Sequence, residues 1–153
     1  MELSEITKKY WEEKDWEDLE KVEQVCDLFV IAERIISRME KPLIQVCGPI
    51  GTGGLGSVEE NLKVLNAKIK ELQKEGLNIF DQMPFEAPMQ KLKKKLAPNG
   101  EYLESILTDF YHPIFRSGAI TKFCFLPSWK TSKGAQWEHQ QAEEYGIEII
   151  YLD

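Results

Sequence analysis

Long apolar runs are missing from this 153-residue chain, so no segment is suited to crossing a bilayer. The N-terminus also lacks the charged, apolar and small-residue order of a signal peptide, and a cytoplasmic protein without membrane contact is expected. Cysteine is scarce. Cys26, Cys47 and Cys124 form an odd set with no CxxC pair, which argues against a disulfide framework and for buried free thiols in a reducing compartment. His112 and His139 are the only histidines. Neither HExxH nor a cysteine pair accompanies them, so no metal site is expected. His139 adjoins Glu138 and must face another side of its helix, where exposure is expected. A basic stripe is missing as well. The net charge is −7, with twelve acids and seven bases in residues 1–41 and fourteen acids and twelve bases in residues 42–153. Phosphate neutralisation supplies most affinity for nucleic-acid polymers, so such a partner is not expected, whereas a small anionic ligand remains open.

What is present has the size of one domain, since chains of this length bury roughly 70% of their unfolded surface. Two organisational parts are expected within it: an N-terminal helical extension over residues 1–41 and an α/β domain over residues 42–153. Residues 4–13 and 16–40 read as helices. In the second, Trp16, Leu19, Val22, Cys26, Phe29, Val30, Ile36 and Met39 recur at helical steps, with Asp15 as N-cap and Pro42 as the stop. This helix is a core element or, if its stripe is too wide, a subunit contact, so a homo-oligomer is expected. Beyond Pro42 the pattern alternates: strand 43–47, helix 58–75 with Leu62, Leu65, Ile69 and Leu72 on one face, strand 77–81, an irregular proline-bearing stretch 82–100, helix 101–115, strand 120–126, helix 135–145 and strand 147–152. Strands separated by single helices imply right-handed crossovers, hence a three-layer α/β fold with a flavodoxin-like parallel sheet of about four to five strands in the order 2-1-3-4.

That order sets the first and third strands side by side, and both lead into glycine-bearing turns: Gly48 to Gly56, and Ser132 to Glu138. A Ser and a Gly at a helix mouth offer backbone N–H groups to an anion, and Glu138, one turn inside, faces the same opening. If the two turns meet, they form a pocket. Gly51, Gly53 and Gly56 also satisfy GxGxxG, with Asp81 ending the next strand where a ribose-binding acid stands in dinucleotide folds. Gly48, Pro49 and Ile50, however, separate the strand from the first motif glycine, and a second mononucleotide-binding half is absent. A P-loop fails because no GK[ST] follows Gly53.

Taken together, Gln45, Val46, Cys47, Gly48 and Pro49, then Glu75 and Gly76, then Leu126, Pro127, Ser128, Trp129 and Ser132 to Glu138 resemble the nucleoside 2-deoxyribosyltransferase-like family and related small domains with a GP turn and an LPxW…SxGAxxE pattern. The resemblance covers residues 43–152. It implies an N-glycosidase or transferase acting on a nucleoside or nucleoside 5′-monophosphate, without metal or redox cofactor. Glu138 matches the nucleophile that attacks the anomeric carbon and forms a glycosyl ester. Asp109 matches an acid that bonds the sugar hydroxyl or the leaving base, against the alternative of a solvated helix residue. Ser132 matches a serine of relatives acting on 5′-monophosphates, and Gly51, Gly53 and Gly54 would add backbone donors for phosphate, with Gly134 at the helix mouth also counted as substrate-binding. Trp129 and Trp137 would form apolar walls. The transferases carry a tyrosine where this chain has Gln45, a residue still able to hydrogen-bond a carboxylate. Gly53 to Glu60 also resembles the GGxGTxxE signature of cytokinin-activating phosphoribohydrolases, with Ser57 for threonine, although there it follows a later strand. A non-catalytic nucleotide-binding module remains the alternative outside enzymes.

Overall fold

The computed structural model describes residues 2–100 and 103–153. They fall into two compact units: residue 2 with 40–81 and 118–153, and residues 3–39 with 82–117.

The first unit is built on a parallel sheet of three strands, β1 (Leu43–Cys47), β2 (Ile120–Phe125) and β3 (Glu148–Tyr151), in the order β1-β2-β3. Gln45 pairs with Phe123 and Cys47 with Phe125, while Phe123 pairs with Ile149 and Phe125 with Tyr151. All five residues of β1 are buried, the pattern of a strand covered on both faces. Helices α4 (Val58–Lys74) and α7 (Lys133–Tyr145) complete the unit. The apolar stripe of α4 is close to the expected one, with Leu65, Ile69 and Leu72 buried. Ser57 caps it, its hydroxyl accepting from the Glu60 N–H at 3.2 Å.

The sheet is narrower than expected. Residues 77–81 run parallel to β1 but join it through a single bridge at Ile79, with the Ile44 N–H donating to Asn78 and the Phe80 N–H donating to Ile44 at 2.9 and 2.8 Å. The segment lies on the far side of β1 from β2, the place the order 2-1-3-4 assigns to it. It forms no strand because Gln82 and Met83 already turn the chain into a helix.

The second unit is helical: α1 (Glu5–Lys8), α2 (Glu13–Glu20), α3 (Val25–Arg38), α5 (Met83–Leu96), a π-helical turn at Leu107–Tyr111 and α6 (His112–Arg116). Its N-terminal helices do not stand by themselves; α3 packs on α5, α6 and the π turn. Three expectations are corrected here. The helix expected over 16–40 breaks at residues 21–24, because the Asp27 carboxylate accepts from the Glu23 and Gln24 N–H groups at 2.9 and 3.0 Å and starts a new helix. The phase resets with it: Val25, Leu28, Ile31, Ala32, Ile35 and Ile36 are buried in α3, while Cys26 and Val30 are exposed. Cys26 is therefore not a buried thiol, whereas Cys47 and Cys124 are. Asp15 is not the cap of α2. It sits fully buried one turn inside, accepting from the Glu12 N–H at 2.8 Å and from Arg38.

The stretch expected to be irregular, 82–100, contains α5, with Pro84 tolerated in its first turn and Pro88 inside it. Met83, Phe85, Met89 and Leu92 are buried along it. Of the helix expected at 101–115, the first two residues lie outside the described ones, and Leu107–Tyr111, which includes Asp109, is π-helical.

Candidate functional site

The register of the sheet explains how a glutamate is buried in the first unit. Gln45, Cys47, Phe123 and Phe125 share one face, because alternate residues of a strand point the same way and these are register partners. Helix α7 covers that face with Ala135, Glu138, Gln141 and Ala142, a stripe at three- and four-residue spacing. Glu138 is the acid on it, 8% exposed. Its Oε2 accepts from Gln45 Nε2 at 2.6 Å, a short hydrogen bond. The Cys47 thiol, two residues along β1, donates to the same carboxylate. Burial first, and then the neighbouring Glu138 charge, push the Cys47 thiol well above its ordinary value, so it stays protonated as a donor. Gln45 is wholly buried, and its Oε1 has no partner among the described residues.

The two glycine-bearing turns meet, as the strand order requires. The Gly54 N–H donates to Thr131 Oγ1 at 2.8 Å and the Lys133 N–H to Thr52 Oγ1 at 3.0 Å. Their backbones touch closely enough that a Cβ on Gly53 would lie 2.0 Å from the Thr131 carbonyl oxygen, and one on Gly48 would lie 2.4 Å from Leu126. Gly53 also has φ of +70°, a region L side chains avoid. Asn61 organises the first turn from inside α4: its Nδ2 donates to the Ile50 and Gly53 carbonyls, at 3.0 and 3.1 Å, and its Oδ1 accepts from the Leu55 N–H at 2.9 Å. Sequence reasoning passed over Asn61. The signal was a polar residue on the stripe that continues with Leu65, Ile69 and Leu72.

Several expected donors already serve the protein. Ser132 is buried and caps α7, accepting from the Ala135 N–H at 3.2 Å. The Gly54 N–H is engaged by Thr131, and the Gly56 N–H donates to the Gly53 carbonyl at 3.1 Å. Pro49 is buried, Gly51 exposed and Gly134 half-buried at the second position of α7. Asp81, which ends the segment beside β1, is buried. Asp109 belongs to the second unit, is exposed, and accepts from the Thr108 hydroxyl at 3.2 Å.

His139 differs from expectation: it is half-buried rather than exposed. Its ring stacks on Trp129 at 4.4 Å and 6°, and its Nε2 lies 2.7 Å from the Tyr151 hydroxyl. Trp129 thus stands in an aromatic group with His139, Phe125 and Tyr151, while Trp137 is half-buried on α7. No cluster of three or more His, Cys, Asp or Glu suited to a metal occurs among the described residues. Among the described residues no helix is long and apolar enough to cross a membrane.

The class these features define is a parallel α/β unit whose strand ends carry two interlocked glycine turns beside a buried carboxylate. Compared with known protein families, curated proteins and solved structures, the chain matches none of them.

Proposed function

We propose that the first unit cleaves or exchanges the N-glycosidic bond of a nucleoside or nucleoside 5′-monophosphate, with Glu138 as nucleophile. The observation that carries this reading is the 2.6 Å bond from Gln45 Nε2 to Glu138 Oε2 within a buried face. A neutral amide on a rigid strand orients the carboxylate for attack. The carboxylate attacks the anomeric carbon. The C–N bond breaks, its electron pair leaves with the base, and the glycosyl ester is then resolved by water or by a second base. The Cys47 thiol adds a second donor to the same group. Gln45 would fill the orienting role that a tyrosine has in the transferases. The sheet order β1-β2-β3, with residues 77–81 beside β1, supports a flavodoxin-like arrangement with the ligand at the strand ends.

The phosphate side of the reading rests on Ser132. Its oxygen accepts from Ala135, and its O–H keeps donor capacity for a phosphoryl oxygen. Lys133 N–H would reach the same phosphate only after Thr52 yields its place.

The test is incubation of the full chain with a panel of nucleosides and 5′-monophosphates, followed by chromatography for free base. Base release abolished in Glu138→Gln with ligand binding retained supports the reading. Saturable binding with no base released from any substrate reassigns the protein to a non-catalytic nucleotide-binding module.

A further inference from the structure

The C-terminal ends of β2 and β3 border a cavity of about 470 Å³ that Glu138 does not line. Phe125, Trp129 and Tyr151 are its aromatic walls, Leu126 and Pro127 add apolar surface, and Lys130 supplies a cation. The volume lies within the roughly 300–1,000 Å³ of small-molecule sites.

The walls are held in place. Trp129 stacks on His139, and the Tyr151 ring stands 6.0 Å from Trp129 at 22°. His139 is gripped at both nitrogens, Nδ1 lying 3.0 Å from Glu143 Oε1 and Nε2 lying 2.7 Å from the Tyr151 hydroxyl. The network is self-consistent with Nδ1–H donating to Glu143 and the Tyr151 O–H donating to Nε2. Three nearly parallel rings are fixed before any ligand arrives, which lowers the ordering cost of binding. Tyr151 is nonetheless 58% exposed, an aromatic surface rigidly presented to solvent. Lys130 Nζ stands 5.7 Å from the Trp129 ring centre.

We propose that this cavity is a ligand site separate from Glu138, taking a planar heteroaromatic ring that carries negative charge. The ring lies against Trp129 and Tyr151, and Lys130 meets the anionic group. Stacking on an aromatic side chain is tolerant of ring identity, and the cation selects charged rings over neutral ones. The site does not depend on the glycosidase reading.

The experiment uses the full chain labelled with 5-fluorotryptophan, the Trp129 resonance being assigned through Trp129→Phe. Adenosine 5′-monophosphate and adenosine serve as probes. A saturable shift of the Trp129 resonance is expected with both, tighter for the monophosphate. Lys130→Glu should weaken the monophosphate about tenfold, the worth of one charge-assisted contact, and leave adenosine unchanged. Tyr151→Leu should weaken both, and Glu138→Gln should change neither. The proposal is overturned if neither probe shifts the resonance at millimolar concentration. It is also overturned if the shift survives Lys130→Glu and Tyr151→Leu but disappears in Glu138→Gln, which would place the ligand at the carboxylate instead. Far-UV circular dichroism of each variant verifies folding; the substituted side chains Lys130 and Tyr151 are both exposed.

Discussion

At the scale of single residues, the two buried glutamates among the described residues have been given different surroundings. Glu138 sits opposite an amide and a thiol that donate to it. Glu86, in the first turn of α5, is 4% exposed, and its carboxyl is pushed up to about 7, chiefly by burial, with Lys93 and Gln90 pulling the other way. A carboxyl whose folded value lies above its unfolded one takes up a proton on folding, so its ionisation opposes the fold. The linked stability is highest at pH values below the ordinary 4.5 and is lost as pH rises from there to about 7. Glu86→Gln removes the ionisation while keeping the shape. It should raise stability by about 1–3 kcal/mol at pH 8 and change it little at pH 4, as read from urea unfolding at the two pH values. A variant equally stabilised at both values would show that the folded carboxyl value is not raised above the unfolded one.

At the scale of elements, the interlocked turns are the feature with the clearest mechanical consequence. Two hydroxyls, Thr52 and Thr131, each take a backbone N–H from the opposite turn, and Gly53 allows the backbones to close. Gly53→Ala adds a Cβ 2.0 Å from the Thr131 carbonyl, whereas Gly56, at φ of +89°, has open space around it. Both substitutions carry a left-handed backbone cost of about 1–2 kcal/mol. Only Gly53→Ala should also separate the turns, seen as faster hydrogen exchange at the Gly54 and Lys133 amides. Equal exchange in the two variants would mean that contact between the turns does not depend on this close approach. The same scale explains why α5 escaped the sequence reading. Two prolines and a lysine-rich end masked an apolar spacing of Phe85, Met89 and Leu92, which burial in the helical unit satisfies.

At the scale of the whole molecule, each unit has its own polar anchor. That of the helical unit is Asp15, fully buried and joined to Arg38 and Arg34. Burial alone would raise its carboxyl, but the hydrogen bonds from Arg38 and the Glu12 N–H, with the two guanidinium charges, hold it below the ordinary 3.8. A depressed folded value stabilises at pH above 3.8 and loses that contribution as pH falls through the lower, folded value. Asp15→Asn should therefore cost about 2 kcal/mol or more near neutral pH and progressively less in acid, measured by thermal unfolding as a function of pH. A cost that does not change with pH would assign the effect to packing rather than charge.

Much of this was legible in one sequence. The alternation of apolar strands and amphipathic helices dictated an α/β unit with parallel strands, and strand-to-helix glycine turns marked the ends of β1 and β2. Glu138 stood out because a helix mouth followed by an acid one turn later is a local pattern. Other features were decided only by tertiary structure. That Gln45 donates to Glu138 depends on register between β1 and β2 and on the face α7 covers, residues 93 positions apart. Asn61 gained its role from the turn it holds, Cys26 lost its burial when Asp27 reset a helix, and residues 77–81 paired only once because the chain turned away. Local pattern specifies which elements form and which side they bury; which side chains finally face one another is a long-range outcome of packing, and the partners are not adjacent in the chain.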